Sequence, residues 1–351
     1  MTDRRDEIEI KTPRLTLRTF RAADVPAIVE GIGDFEVSKW LAPVPHPYGP
    51  ADAEWYLETL ARQPNYWAIT RKGALIGGMA IDDSLGYWLA RSEWGQGYAT
   101  EAGFAVIDRW FANPEAPDLT SGHFDDNARS GGVLCKLGFE YTGRKPMFCR
   151  ARDAEFPSRR MTLSRAKWHE MRSLPHLTTP RCVLRPLTAE DAPRLSEIGG
   201  IPEVARNTVS IPAPWPVDEA RDWIAAGRWK ERPGFRLGIL DRNGQLIGMA
   251  GLSPADQDGI ASVAYFVEKS LWGRGLVTEV MEAFIPAVFR AFPLKALDAD
   301  HDTDNPASGV VLRKLGFDYL GDRLGARTRL RLEPEPVSHY RLERSRFEAR
   351  L

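Results

Sequence analysis

Leu15, Leu17 and Phe20 alternate with polar residues directly after Pro13, and this period of two predicts a first strand. Asp24-Val25-Pro26-Ala27-Ile28 then carries the marks of a helix start, with Asp24 as cap and Pro26 in the first turn. Residues 51–61 read as a second helix. Tyr66-Trp67-Ala68-Ile69-Thr70 and Leu75-Ile76-Gly77-Gly78-Met79 flank Lys72-Gly73, which predicts a hairpin. Gly86-Tyr87-Trp88-Leu89 is the next strand. It runs into a glycine-rich turn at Gly95 and Gly97, and then a helix from Thr100 to Phe111. A short strand ending near His123, a helix from Ser130 to Leu137, and Met161-Thr162-Leu163 complete the pattern. Hairpins early and one strand, glycine loop and helix in the middle predict an α/β fold, its sheet mixed and mostly antiparallel, flanked by helices.

The whole pattern then repeats. Thr12-Pro13-Arg14-Leu15 returns as Thr179-Pro180-Arg181-Cys182, and Trp94-Gly95-Gln96-Gly97-Tyr98-Ala99-Thr100-Glu101 as Trp272-Gly273-Arg274-Gly275-Leu276-Val277-Thr278-Glu279. Asn127-Ala128-Arg129-Ser130 returns as Asn305-Pro306-Ala307-Ser308. Order is kept, and the insertions fall in turns, as they do when an entire fold is duplicated. The 351 residues therefore divide into two tandem domains, 1–172 and 173–351, each long enough to bury its own core. The Ser173-Leu174-Pro175-His176 stretch reads as a connection. It is short enough to predict a monomer with an internal, packed pseudo-dimer.

A strand, a glycine loop and a helix form a phosphate-binding arrangement in physical terms. Glycines let the backbone approach a ligand, and the free N–H groups of the first helical turn point at it. For a lone Gly-x-Gly a plain tight turn is the better explanation. Here the loop follows a strand, opens a helix, carries a hydroxyl at Thr100 and occurs twice. Its spacing fits neither a Walker loop nor Gly-x-Gly-x-x-Gly.

Gly95-Gln96-Gly97-Tyr98-Ala99-Thr100, followed by Asn127-x-x-Ser130 and Leu137-Gly138-Phe139, resembles the GNAT superfamily of N-acetyltransferases. Thr12-Pro13-Arg14-Leu15-x-Leu17-Arg18 is similar to the opening of its RimJ/RimL branch. The resemblance implies acetyl-CoA as cofactor, its pyrophosphate on the amides around Gly95, Gln96, Gly97, Tyr98, Ala99 and Thr100. Asn127 and Ser130 would meet the pantetheine arm. Gly273, Arg274, Gly275, Thr278 and Asn305 are the corresponding positions of the second copy. That copy departs from the pattern at Val277, where a small residue is usual, and at Pro286 inside the following helix. Both departures favour the first copy as the better cofactor site.

Acetyl transfer needs a neutral amine, donors for the oxyanion and a proton for the leaving thiolate. The tyrosine many relatives use as acid is absent: its slot holds Leu134 and Leu312. The branch resemblance offers Ser130 and Ser308 instead, and both also read as helix-capping serines. The glutamate common in the branch is replaced by Ser84 and Ser262. The remaining base candidates are the loop acids Asp82 and Asp83, with Asp256 and Asp258 in the second copy, and His123 and His301, at matching strand ends. An α-amine, with a pKa of about 7.7–8.0, is roughly a tenth neutral at pH 7, whereas lysine near 10.4 is hardly so. This favours an α-amine acceptor. Trp40, Pro43, Pro45, His46, Pro47 and Tyr48, with Ile211, Pro212, Pro214, Trp215 and Pro216, read as recognition walls or as lids over the core.

A net charge of -1, with 27% charged residues, argues against a dedicated nucleic-acid binder. No apolar run is long enough to span a membrane. Met1-Thr2-Asp3-Arg4-Arg5-Asp6 lacks the apolar stretch of a signal peptide. Cys135, Cys149 and Cys182 show no metal-ligand spacing and read as reduced thiols of a cytoplasmic protein. The expectation is a tandem GNAT enzyme acetylating a primary amine, by preference a protein N-terminal α-amine. A small-molecule amine acetyltransferase and a non-catalytic acyl-CoA-binding pseudo-enzyme are the alternatives.

Overall fold

The computed structural model describes residues 9–349, so the opening segment from Met1 to Asp6 lies outside the described residues. Two compact units are present, one ending at His169 and the other beginning at Glu170. The stretch from Ser173 to His176, read above as a connection, is the turn of a small hairpin. Arg172–Ser173 pairs with His176–Thr178, which continues the second unit's sheet.

In the first unit, Ile10–Lys11, Thr16–Arg18, Tyr66–Arg71, Ala74–Ile81 and Leu85–Leu89 lie side by side in chain order, all antiparallel. A second sheet holds Leu119–Phe124 and Glu140–Arg144 on either side of Ser158–Leu163. Two hydroxyls link the sheets: Ser121 Oγ donates to the Leu85 carbonyl at 2.8 Å, and Thr120 Oγ1 to that of Asp83 at 3.0 Å. In the second unit the corresponding strands form one nine-stranded sheet. Its parallel pair is hydrogen-bonded only from Ile260 to Ser262 against Ala296 to Asp298, while the two strands continue to Val267 and Asp302. Each unit therefore has a sheet that parts toward the C-terminal ends of two parallel strands. Ligands of α/β sheets bind at such crevices.

Local chemistry explains most elements. Lys72 and Gly73 both have left-handed φ, 51° and 86°, which matches the twist of a two-residue hairpin turn. The helix Tyr98–Ala112 starts two residues earlier than its hydrophobic pattern predicts and buries Ala102, Phe104, Val106, Ile107 and Phe111. Asp24 precedes the helix Val25–Gly33 but does not cap it with its side chain. Its carboxylate instead accepts from the Arg21 N–H at 2.8 Å and both guanidinium nitrogens of Arg18 at 2.8 Å. Asp191 does the same with Thr188 and Arg185. A bidentate arginine outcompetes the helix end for a buried carboxylate.

One hairpin escaped the sequence reading. Met147–Cys149 pairs with Ala154–Phe156, and Arg152 near its tip lies over the Phe156, Phe124 and Trp40 rings, at 3.6, 4.4 and 5.2 Å from their centroids. The same guanidinium donates to Asp126 at 2.9 Å.

Burial alone would raise the pKa of Asp24 and Asp191. The Arg18 and Arg185 guanidinium groups, with the Arg21 and Thr188 N–H groups, outweigh it and hold both carboxyls below the usual range. A depressed folded-state pKa gives stability that is present above the ordinary value of about 3.9 and lost as pH falls through the folded value. Asp24→Asn is expected to cost about 2 kcal/mol at pH 7. Urea melts at pH 7 and pH 3 should show the gap from the parent chain closing at the lower pH.

Candidate functional site

The glycine loop is held by its flanks. The Trp94 Nε1–H donates to the Leu89 carbonyl at 2.9 Å, fixing the loop to the end of its strand, and Trp272 does the same to Val267 at 2.9 Å. Gly95 and Gly97 have φ of 77° and 79°, Gly273 and Gly275 both 72°. Side chains with a Cβ rarely adopt this left-handed region, so all four positions require glycine. Neither Gly97 nor Gly275 caps its helix with a side chain, which leaves first-turn N–H groups available to a ligand.

A buried carboxylate clamps the loop from beneath. Glu101, 2% exposed, accepts from Thr12 Oγ1 at 2.5 Å and from the Arg14 backbone N–H at 2.9 Å. Its other oxygen takes Arg14 Nε at 2.6 Å, and Arg14 Nη1 reaches on to the Gln96 carbonyl at 3.0 Å. The second copy repeats every contact. Glu279 accepts from Thr179 Oγ1 and the Arg181 N–H at 2.7 Å each and from Arg181 Nε at 2.5 Å, while Arg181 Nη1 meets the Arg274 carbonyl at 2.9 Å. The remaining nitrogen, Nη2 of Arg14 and of Arg181, is buried without a partner in both copies. Gln96 and Arg274 thus contribute their carbonyls to the clamp, and their side chains are exposed.

A cavity of about 580 Å³ opens beside this loop, lined by Gly95, Gly97, Tyr98, Ala99, Thr100, Asn127 and Ser130 among others. Tyr87 lines it too, and its hydroxyl lies 2.9 Å from Ser130 Oγ. Burial pushes the Tyr87 phenol up to about 12, the Ser130 contact offsetting part of the rise, so the pair keeps its protons at neutral pH. Asn127, not Ser130, caps the helix Ala128–Lys136: its Oδ1 accepts from the Ser130 N–H at 3.1 Å. The serine hydroxyl is thereby left to Tyr87. Burial raises the Tyr265 phenol in the same way, with Ser308 as its hydrogen-bond partner, and Asn305 Nδ2 donates to Ser308 Oγ at 3.1 Å. Sequence reasoning missed both tyrosines while it searched for a glutamate. Their recurrence at matching places in the repeat was the available signal.

The other candidates lie elsewhere. His123 is packed beneath the helix Ala128–Lys136, where a Cβ on Gly131 would come within 2.7 Å of its Nε2. Its Nδ1–H donates to the Phe124 carbonyl at 2.7 Å, which leaves Nε2 to accept from the Tyr141 hydroxyl at 3.2 Å. His301 likewise donates from Nδ1 to the Asp302 carbonyl at 2.9 Å. Asp83 is exposed in the turn before Leu85–Leu89, at the end of that strand remote from the glycine loop. Leu134 and Leu312, in the tyrosine slot of the pattern, are core residues. Trp40 lines the cavity together with Val37 and Leu41, but Pro43, Pro45, His46, Pro47 and Tyr48 do not. A second cavity of about 360 Å³ shares Trp40, Trp94, Asn127, Ala128 and Arg129 with the first and adds Glu36 and Asp126.

The departures in the second copy leave its loop unchanged. Val277 packs against the core, and the helix Leu276–Ala291 continues through Pro286. Thr278 is buried in its first turn as Thr100 is in that of the first copy.

The chain matches the family model described as an acetyltransferase (GNAT) domain twice, over residues 14–140 and 181–318. It is similar to YoaA of Bacillus subtilis (strain 168), an uncharacterized N-acetyltransferase, with 31% identity over 156 residues that cover 42% of this chain and 85% of that protein. Similarity to p20 of Bacillus licheniformis, also an uncharacterized N-acetyltransferase, is 29% over 150 residues, or 41% of this chain and 83% of that one. Among solved structures, Mycobacterium smegmatis RimJ in complex with CoA-disulfide aligns at 18% identity and a TM-score of 0.41, covering 47% of this chain and 82% of that chain.

Removing the clamp's charge tests its role. Glu101→Gln keeps the side chain's shape but leaves the Arg14 guanidinium without its counter-ion. The expected loss is about 3 kcal/mol of stability, read by urea denaturation. A loss below about 0.5 kcal/mol, the size of an ordinary surface change, would show that the carboxylate is not the tie.

Proposed function

The chain belongs to the acetyltransferase (GNAT) family, and we propose that it moves an acetyl group from acetyl-CoA to a protein N-terminal α-amine. As a member of that family it is an acyltransferase acting on amine acceptors, and acetyl-CoA is the donor the family uses. The observation that carries the proposal is the glycine loop: left-handed glycines lead into an uncapped helix start, beside a cavity that reaches the Tyr87–Ser130 hydroxyl pair.

These residues fit the donor. Gly95, Gln96, Gly97, Tyr98, Ala99 and Thr100 would hold its diphosphate on backbone N–H groups, helped by the positive end of the helix dipole. Asn127 and Ser130 would meet the arm that carries the thioester. Gly273, Arg274, Gly275, Thr278 and Asn305 would do the same in the second copy, since its loop and clamp have the same geometry. When bound, acetyl-CoA supplies an activated acyl carbon for a neutral amine to attack.

Ser130 Oγ, fed by the Tyr87 hydroxyl, holds a proton at the cavity wall where a leaving group needs one. Ser308 and Tyr265 form the counterpart. Asn127 orients the serine by fixing its backbone N–H. Among the candidate bases, His123 is tied at both ring nitrogens, Asp83 is remote, and Glu93, which lines the cavity, is paired with Arg71. An acceptor that loses its own proton to water near pH 8 suits such a site, and an α-amine does so where lysine does not. We place the reaction in the cytoplasm, on the strength of three unpaired thiols, Cys135, Cys149 and Cys182. Among the described residues no helix is long and apolar enough to cross a membrane.

Peptides with a free α-amine should be acetylated there and not on lysine, with a rate that rises toward pH 8, as mass spectrometry of the products would show. Ser130→Ala should lower kcat about 100-fold with little change in the KM for acetyl-CoA, and Tyr87→Phe about tenfold. Acetylation of lysine alone, or an unchanged kcat in Ser130→Ala, would contradict the proposal.

A further inference from the structure

Two cavities of the first unit, of about 580 and 360 Å³, meet at one charged side chain. Arg129 lines both, whereas Lys136, further along the same helix, lines the larger alone. The Arg129 guanidinium lies 5.4 Å from the centroid of the Trp94 ring. That indole is fixed to the Leu89 carbonyl, so the arginine stacks on a surface that does not move with it. Among the described residues Arg129 has no ion pair and no hydrogen bond, and its side chain is exposed.

The other charges of the smaller cavity are matched. Glu36 holds Lys39 Nζ at 2.8 Å from both carboxylate oxygens, and Asp126 accepts from Arg152 at 2.9 Å. Lys39 and Arg152 also lie over the Trp40 ring, 5.1 and 5.2 Å from its centroid. Glu93, on the larger cavity, is paired with Arg71. Arg129 is therefore the unmatched charge where the two cavities join. In the second copy Asp304, the counterpart of Asp126, is also paired, with Arg206 and Arg331, but Ala307 stands where the first copy has Arg129.

We propose that Arg129 determines acceptor specificity in the first copy by binding a carboxylate in the first two residues of the acceptor, beside its α-amine. The acceptor class is then an acidic N-terminus. The inference rests on the proposed acetyl transfer, with the amine reaching the Tyr87–Ser130 pair past this junction. A guanidinium stacked by its face keeps its edge N–H groups for a planar carboxylate, which it can bind with two parallel hydrogen bonds. A basic side chain on the acceptor would meet the opposite situation: two carboxylates already engaged and one free cation. The donor's phosphates have the loop N–H groups and Lys136 on the larger cavity. Arg129 alone of these also reaches the smaller one, whose Glu36 and Asp126 do not line the larger. With Ala307 in its place, the second copy lacks this preference.

The test uses the full chain, acetyl-CoA and two pairs of otherwise identical peptides, beginning Asp-Ala or Asn-Ala and Ala-Asp or Ala-Asn, with thiol release as readout. In at least one pair the acidic peptide should have a kcat/KM about tenfold above that of its amide twin, the size of a charge-assisted hydrogen bond at a solvated rim. Arg129→Ala should bring that pair to within about twofold while the KM for acetyl-CoA stays within about twofold, and Arg129→Glu should reverse the order. Equal rates within both pairs in the parent chain overturn the inference, and so does an Arg129→Ala variant that keeps the preference. A variant whose main effect is a rise of about tenfold in the KM for acetyl-CoA also overturns it, since the arginine would then serve the donor's phosphates. Free aspartate is the second source of such a carboxylate. Turnover of free aspartate above that of both acidic peptides, lost in Arg129→Ala, supports carboxylate recognition and overturns the polypeptide acceptor. If the parent chain acetylates none of these amines, the acetyl-transfer reading has failed. Calorimetric binding of the same peptides to the parent chain and to Arg129→Ala then decides the carboxylate site: tighter binding of an acidic peptide, lost in the variant, supports it, and equal binding overturns it.

Discussion

One buried carboxylate in each copy carries the architecture of the site. Glu101 and Glu279 sit in the first turn of a helix, and each binds a threonine hydroxyl, an arginine N–H and the same arginine's guanidinium. A carboxylate so enclosed would be costly without partners, and a saturated one is rigid. The arginine then passes the constraint on to a loop carbonyl, Gln96 or Arg274. In this way the turn that leads into Thr16–Arg18, or into Cys182–Pro186, fixes the glycine loop, and the loop fixes where the helix N–H groups point.

The chemistry inherits that geometry. With the loop pinned, the helix start and the parted strands border one cavity in the first copy, and the hydroxyl pair of Tyr87 and Ser130 stands on its wall. Asparagine is the quiet partner: by capping its helix it releases the serine hydroxyl for the tyrosine. The two copies share loop, clamp and hydroxyl pair. They differ across the cleft in side chains: Lys39 and Trp40 of the first copy are Arg206 and Asn207 in the second, and Arg206 pairs with Asp304.

Much of this was legible in the chain. The period-two runs located the strands because their alternate residues face a core, and the paired glycines announced a left-handed loop that few other residues tolerate. The duplication added weight to each motif. The clamp was not legible, although all its members were in view, because Arg14 and Glu101 meet only through the fold and no local window contains both. Asp24 looked like a cap because its arginine partner, Arg18, belongs to the preceding strand. Tyr87 was not legible because the pattern of related enzymes points to a glutamate in the slot that Ser84 holds here. His123 looked poised at a strand end, but the glycine above it and the carbonyl beside it make it a packed residue. Val277 and Pro286 read in the sequence as departures that weaken the second loop, yet Val277 packs against the core and the helix Leu276–Ala291 continues through Pro286.

The central claim is that both loops are built to hold an acyl-CoA. Calorimetric titration of the intact chain with acetyl-CoA tests it directly. Two molecules bound per chain is the predicted result. A single molecule, or none, would contradict the equivalence of the two clamps and return the second copy to a structural role.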